Sequence, residues 1–288
     1  RDAEIEIEKE GGDTPYPAWE ALRAEDRQDE PAILFIISDA AGNVVRRITG
    51  PTSEGLHRVA WDLRYAAPEA VQLTPPTPSP FANPNVGPLV VPGHYSVTLA
   101  KRVNGVVTTL SEPQSFTLKP LHQTPEATTD RAALLAFQQD TARIYRVVEG
   151  STRSASELRN RLAHLKLGVE TIEASNVSLR AEIQAMEARL DDVDVILTGD
   201  RTISSRNEPA PWPVASRVSQ IRGWGWFTQA PATGSNIDAL ATAKVELDTA
   251  LAELRQIEAG IASIEDRLEG LGAPFTPNSG VPSWRRAD

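Results

Sequence analysis

The stretch Ile33-Leu-Phe-Ile-Ile-Ser38, the turn Asp39-Ala-Ala-Gly-Asn43 and the segment Val44-Val-Arg-Arg-Ile48 decide the fold of this chain. A short apolar run bounded by turn residues is typical of a buried strand. An Asp at the start of a turn hydrogen-bonds its own backbone, so Asp39 before Gly42 is explained by a hairpin rather than by metal binding. We therefore expect two antiparallel strands over residues 33–48.

The segment Leu56–Leu63 continues the strand pattern after Gly50-Pro51. Successive side chains of a strand point to opposite faces, so Val59 and Trp61 share one face. Because Trp61 is the largest apolar side chain on that face, we expect it to anchor the core of a sheet.

Three more strands are expected beyond residue 92. Pro92–Leu99 alternates with Tyr95 turned inward, and Asn104-Gly105 is the dipeptide that a two-residue hairpin favours. Strands near 106–110 and 114–118 follow. The whole pattern predicts an immunoglobulin-like antiparallel β-sandwich over residues 32–120.

A proline-rich strap over residues 68–92 interrupts the predicted sandwich. Eight of these 25 residues are proline. Each proline removes a backbone donor, so the strap cannot be a central strand and should lie extended on the surface. It then covers an edge or flank of the sheet, or alternatively it is a ligand for domains that bind extended prolines.

The remainder of the chain has helical periodicity. A heptad register runs unbroken from Phe137 to Leu197, and a second runs from Leu240 to Leu271. The unbroken phase allows a single long helix, but half of its apolar seam would then be uncovered unless the chain dimerises. A hairpin that turns near residues 168–176 is favoured, since it lets three helices share one core.

The predicted architecture is therefore α+β and multidomain, with the sandwich followed by an antiparallel helical bundle of coiled-coil type over residues 124–272. Its helices are expected at about 125–168, 176–198 and 235–271, with a loop at 199–234 that contains a short helix. Thr124-Pro125 is the expected helix start. An acidic segment with a short helix precedes the sandwich (residues 1–31), and a tail follows the bundle (residues 273–288).

Composition and charge limit the classes of function. The 288 residues suffice for two domains, and the net charge of −10 falls mostly on the first 30 residues. No basic face suggests nucleic acid as a partner. Cysteine is absent, which excludes disulfides and thiolate sites. The longest apolar run is too short to span a membrane.

No catalytic, cofactor-binding or metal site is predicted. The four histidines have no metal spacing, and the three aspartates at 191, 192 and 194 lack the glycine and spacing of a calcium loop, which favours a solvated face. The candidate interaction surface consists of aromatic residues, namely Trp212, Trp224, Trp226 and Phe227. On an extended loop Trp224 and Trp226 would face one side, as a stacking platform for sugars or as wedges that dock the loop. Trp212 and Trp284 are interpreted as packing anchors.

Three motifs of the sheet region together resemble a known domain. Asp39-Ala-Ala-Gly42, Gly55-Leu-His-Arg-Val-Ala-Trp61 and Pro92-Gly-His-Tyr95 are similar to the pattern of the Ig-like domain first known from the flagellar hook-capping protein. The match covers about 70 residues and implies the fold.

A wider set of motifs resembles a larger family. Gly12-Asp-Thr-Pro-Tyr-Pro17, Trp61-Asp-Leu-Arg-Tyr65, Asn207-Glu-Pro209 and Gly272-Ala-Pro-Phe-Thr-Pro277 look like the C-terminal region of large bacterial secreted proteins. Their N-terminal part is a sortilin-like β-propeller with Asp-box (bacterial neuraminidase) repeats. The resemblance implies a secreted or periplasmic location and a propeller upstream of Arg1. The ligand sites of the family would lie in that propeller.

The function expected from the residues and the resemblance is that of a non-catalytic accessory module, not of an enzyme. The module would brace the upstream propeller domain or contact a partner, which is a protein or a glycan. Two alternatives stay open. One is a carbohydrate-binding module that serves a glycosidase, which requires exposed, coplanar Trp224 and Trp226. The other is a coiled-coil homodimer.

Overall fold

An antiparallel sheet and a long helical region make up the chain, as the mixed α+β prediction requires. The structure, a computed structural model, describes residues 2–13, 17–74, 86–121, 130–172 and 177–282; the side chains of residues 2–4 and 224 are not described. The backbone divides into two units. The first unit comprises Arg1–Asp62 with Pro92–Lys119, and the second comprises Leu63–Val91 with Pro120–Asp288.

Two short helices precede the sheet. The acidic segment begins with helix α1 (Asp2–Lys9). Helix α2 (Trp19–Asp26) confirms the predicted short helix. None of the α2 residues is buried, so α2 adds little apolar stabilisation to the first unit.

The first unit contains one five-stranded antiparallel sheet. Its strands are β1 (Ala32–Asp39), β2 (Val44–Gly50), β3 (Gly93–Val103), β4 (Val106–Thr109) and β5 (Gln114–Leu118). The order is β2-β1-β3-β4, and β5 pairs with the other end of β3. Leu34 lies opposite Ala100 in the register, and both are buried on the same face.

Both predicted hairpin turns form as the residue types require. The Asp39 carboxylate accepts hydrogen bonds from the backbone N–H groups of Ala41 and Asn43, each 2.9 Å long. The side-chain hydrogen bond from Asn43 is the main reason why the pKa of Asp39 lies below its usual value. In the second turn, Asn104 and Gly105 have φ values of 50° and 77°, which a type I′ turn needs.

The predicted strand over Leu56–Leu63 is wrong, because this segment lies over the sheet and pairs with no strand among the described residues. The half-buried Trp61 packs edge-on against Tyr95 and Phe116, with ring centroids 5.8 and 6.3 Å apart. Alternation places large side chains on one face of a segment whether or not a neighbouring strand is present. Trp61 therefore covers the sheet, as an anchor should, but from a loop.

The helical region consists of α3 (Arg131–Thr171), α4 (Val177–Thr198), α5 (Arg201–Ser204), α6 (Val214–Gly225) and α7 (Gly234–Gly270). Helix α3 begins after Asp130, whose carboxylate accepts from the N–H groups of Ala132 and Ala133 at 3.0 Å. The predicted cap at Thr124 lies outside the described residues. The predicted loop at 199–234 holds two helices, α5 and α6.

The hairpin prediction for residues 137–197 is confirmed by ion pairs between α3 and α4. Arg159 contacts Asp194 at 2.7 Å, and Lys166 contacts Glu187 at 3.0 Å. From the first pair to the second, the residue number rises along α3 and falls along α4, so the two helices are antiparallel. The turn itself falls on residues 173–176, outside the described part of the chain.

Helix α7 runs parallel to α3. Two ion pairs join them, Asp140 with Lys244 and Arg161 with Glu265, and both pairs are separated by 104 positions. Helix α4 is antiparallel to α7, since Arg189 contacts Glu253 whereas the earlier Glu182 contacts Arg267.

Beyond the end of α4, helix α6 packs against α3 in the place of α4. Its last residue, Gly225, contacts Gln138 near the start of α3, and Arg222, about one turn earlier in α6, contacts Tyr145, about two turns further along α3. Helix α6 is therefore also antiparallel to α3. Gly199, after α4, lies against Pro213, before α6. The pair α4 and α6 thus spans about the same length as α3 and α7.

One apolar core joins these four helices, and most of its members occupy the predicted heptad positions. The buried core includes Val148, Leu158, Leu162, Leu165, Leu179, Ile183, Leu190, Leu197, Val214, Val218, Ile221, Leu247, Leu254, Ile257, Ile261 and Ile264.

Candidate interaction surface

The end of α6 joins three separate parts of the helical unit, and Arg222 is its centre. The Arg222 guanidinium lies 4.6 Å from the ring centroid of Tyr145 and 4.9 Å from that of Trp226. The Arg222 side chain also forms an ion pair with Glu69. Burial lowers the pKa of Arg222 from its usual high value, whereas both rings and the carboxylate favour the charged form.

Arg64 makes a second connection at the same place. Its guanidinium donates to the carbonyl oxygens of Gly87 at 3.0 Å and Trp226 at 3.3 Å. It also lies 5.7 Å from the ring centroid of Phe227. Arg64 therefore ties the strap to the residues that follow α6.

Residues 63–69, which lead into the strap, pair with residues 86–91 of the strap as a short ribbon, which we call the stem (residues 63–69 and 86–91). The Tyr65 N–H donates to the Pro88 carbonyl, and the Val90 N–H donates to the Leu63 carbonyl, each at 2.9 Å. A Cβ at Gly87 would lie only 2.3 Å from the Tyr65 oxygen. Only glycine allows this close approach of the two backbones.

The stem belongs to the helical unit. The strap at 68–92 was predicted to belong to the sandwich, but the residues described on both sides of 75–85 group with the helices. Arg64 and Glu69 account for this position, since both bind residues of the α6 end. Residues 75–85, with most of the prolines, lie outside the described part of the chain.

The structure separates the four predicted aromatic residues. Trp226 is buried, with 2% of its surface exposed, whereas Trp212 and Phe227 are each 53% exposed. Helix α6 has 12 residues and hence a length of about 18 Å, so Trp212 and Phe227 lie at opposite ends of it. The interpretation of Trp212 as a packing anchor does not fit this exposure.

The extended loop expected at Gly223–Phe227 is wrong, because α6 continues through Gly225. Gln138 stabilises this end by donating to the Gly225 carbonyl at 2.7 Å. A sugar platform built from Trp224 and Trp226 needs both rings exposed, and the burial of Trp226 removes one of them. Trp226 instead packs as a wedge.

The outer side of α6 is exposed and uncharged. Its residues Ser216, Ser219 and Gln220 lie between the two exposed aromatic side chains. The arginines of α6 point elsewhere: Arg217 donates to the Trp212 carbonyl at 2.8 Å and approaches Glu246 at 3.7 Å, and Arg222 is occupied as described. We call this surface the α6 face (Trp212, Ser216, Ser219, Gln220 and Phe227).

Other polar residues noted in the sequence have structural partners. Asp191 and Asp192 are exposed, as a solvated face requires, and Asp191 and the partly buried Asp194 also bind Arg159 across the helix pair. His57 lies 2.7 Å from the Ser53 carbonyl oxygen, and His94 lies 3.1 Å from the Thr117 hydroxyl. Within the described ranges no group of three or more His, Asp or Glu side chains could hold a metal ion.

Sequence reasoning missed the residues that build the α6 end, namely Arg64, Glu69, Tyr145 and Arg222. Glu69 and Arg222 are 153 positions apart, and Arg64 and Trp226 are 162 apart. No local spacing reveals such pairs. The only signal was the Gly-Trp-Gly-Trp-Phe segment itself, which marked the right place.

None of the helices in the described ranges is long and apolar enough to cross a membrane. No protein-family model, no curated protein and no solved structure matches this chain.

Proposed function

We propose that this chain is a non-catalytic accessory module that binds protein through the α6 face. Trp212 and Phe227 are both about half exposed at the two ends of an uncharged helix surface, and this observation carries the proposal. Exposed aromatic residues are enriched at protein interfaces, where they supply large contact areas at little cost in side-chain entropy.

The α6 face is rigid enough to serve as a docking surface. Val214, Val218 and Ile221 on its inner side are buried in the helical core. Arg222, Arg64 and Gln138 hold the end that carries Phe227. A surface that is ordered before binding loses less entropy on association, which favours affinity.

The partner that we propose is the sortilin-like propeller of an exported protein, with this chain in its C-terminal region. The motifs at 12–17, 61–65, 207–209 and 272–277 support that choice through their resemblance. Asn207-Glu-Pro209 lies just before the α6 face along the chain, which connects the family-like residues with the exposed ones.

The finer fold assignments belong to the same proposal. We propose that the sheet is one layer of an Ig-like sandwich, supported by the aromatic cluster of Trp61, Tyr95 and Phe116 on one of its faces. We also propose coiled-coil packing for the helices, supported by the heptad spacing of the buried residues of α3, α4 and α7.

Calorimetric titration of this chain with the polypeptide encoded upstream of Arg1 tests the function. We expect micromolar or tighter binding, and we expect W212A/F227A to weaken it at least tenfold. Phe275 is 59% exposed elsewhere in the helical unit, so F275A is the matched control and should bind normally. An upstream polypeptide that is not a propeller, or that gives no heat, would contradict the proposal.

A further inference from the structure

A groove of about 610 Å³ lies between α3 and α7, and its walls come from these helices and Asn278. Its floor is apolar and includes Val147, Leu158, Leu251 and Leu254. Leu158 and Leu254 are buried, whereas Val147 and Leu251 are partly exposed. The groove therefore presents an apolar strip between two parallel helices, which is the surface against which a further helix packs.

The boundary between α3 and α7 has ion pairs as the other helix boundaries do, since Arg161 of the groove pairs with Glu265, but three other charged residues of the groove have none. Between α3 and α4 the flanking charges form ion pairs, as Arg159 does with Asp194, and between α4 and α7 Arg189 does so with Glu253. Glu157, Arg255 and Glu258 line the groove, and none of them forms an ion pair with another described residue. Both signs occur, so the groove suits a partner surface that also carries both signs.

Helix α3 itself carries such a surface. Arg146 and Glu157 are both exposed, and of the exposed residues between them Gly150 and Ser154 line the groove, whereas Arg153 does not. If two copies of α3 cross antiparallel midway between Ser151 and Thr152, each charge lies about 8 Å from the crossing point. Arg146 of each copy then lies opposite Glu157 of the other copy, which gives two pairs of opposite charge.

We propose that the groove is the interface of a two-fold symmetric homodimer, in which α3 of each copy lies in the groove of the other. A two-fold axis requires a self-complementary surface, and the Arg146 and Glu157 positions satisfy that requirement. Gly150 and Ser154 add little bulk at the crossing, so the helices can approach closely. This inference is independent of the proposed function, because no α6 residue lines the groove.

Light scattering over a range of concentrations tests the dimer, with an expected mass of twice the 31.3 kDa of the chain. R146E and E157R should each raise the dimer dissociation constant at least tenfold, because each variant replaces both pairs of opposite charge with pairs of like charge. The double variant R146E/E157R restores opposite charges and should recover the affinity. A monomer mass at every concentration overturns the proposal, and so does a double variant no better than the single ones.

A steric pair of variants provides a second test. S154R fills the groove and should abolish the dimer, whereas A163R places the same side chain on an exposed position of α3 away from the groove and should leave it intact. Far-UV circular dichroism checks that both variants fold. A dimer that survives S154R, or that W212A/F227A disrupts, overturns the proposal.

Cross-linking locates the interface directly. The chain contains no cysteine, so S154C introduces a single reactive thiol. A short bismaleimide should then join two copies of the S154C variant and leave A163C unjoined. The opposite pattern places any dimer on another surface and overturns the proposal.

Discussion

The sheet unit and the helical unit bury their apolar residues in different ways. In the helical unit, side chains at heptad positions of long helices meet in one continuous core. In the sheet unit, Ala32, Leu34 and Ala100 form a small buried cluster, and the aromatic cluster on the sheet depends on Trp61 from a loop. Periodicity therefore accounts for the helical core except for its α6 residues, whereas the sheet also needs a segment that periodicity does not place.

The strap shows the same contrast. Its stem is held by Arg64, by the close backbone approach at Gly87 and by the pair of Glu69 with Arg222. These are single polar or steric contacts between distant parts of the chain. We therefore expect the helical core to respond to loss of volume, and the stem to loss of a specific contact.

The largest expected effect is in the helical core. Leu162 has no exposed surface, so L162A should lower the free energy of unfolding by about 3–5 kcal/mol through lost burial and a residual cavity. Urea denaturation followed by far-UV circular dichroism measures this effect. A loss below about 1 kcal/mol would show that the core repacks easily, and the contrast with the sheet would then fail.

The sheet should be most sensitive at Trp61. W61A removes the edge-on contacts to Tyr95 and Phe116 and should cost about 2 kcal/mol, because the indole is only partly buried. W61F keeps one aromatic ring and should cost less. Hydrogen exchange of the β3 amides at 93–97 reports the effect locally. Unchanged exchange in W61A would mean that the loop does not cover the sheet.

A pair of glycine substitutions tests the stem. G87A forces a Cβ against the Tyr65 and Ala66 oxygens and should destabilise the protein by about 1–3 kcal/mol. G223A is the control, since no atom lies within 4 Å of its Cβ position in α6, and it should stabilise by about 0.5–1 kcal/mol. Thermal unfolding of both variants measures these changes in stability. Equal effects at the two positions would contradict the close approach in the stem.

The smallest expected effect is a loss of helical stability in acid. Hydrogen bonds from Arg267 and Arg189 lower the pKa values of Glu182 and Glu253 from their usual 4.5, and Lys244 and Arg143 outweigh burial at Asp140. A carboxyl with a lowered pKa in the folded state stabilises above its unfolded pKa, and that contribution is lost as the pH falls through the folded pKa. The unfolding temperature should therefore fall below about pH 4.5, and less so in E253Q. An unfolding temperature that rises in acid would be contrary to this account.

Local sequence patterns predicted the helices, strands and turns better than they predicted which parts of the chain these elements contact. The heptads located α3, α4 and α7, and Asp39 and Asn104-Gly105 located the turns, because each pattern depends on neighbours in sequence. Leu56–Leu63 has strand alternation, but alternation does not supply a partner strand. An extended loop was expected around Trp224, yet α6 continues through Gly225, where Gln138 and the packing of Trp226 stabilise its end.

Hydrogen–deuterium exchange of this chain, alone and with the proposed sortilin-like propeller, tests the central claim most directly. We expect new protection at residues 212–220 and 227–230, on and beside the α6 face, with no change in the core amides of α3 and α7. Protection confined to the sheet unit, or none at all, would contradict the proposed binding surface.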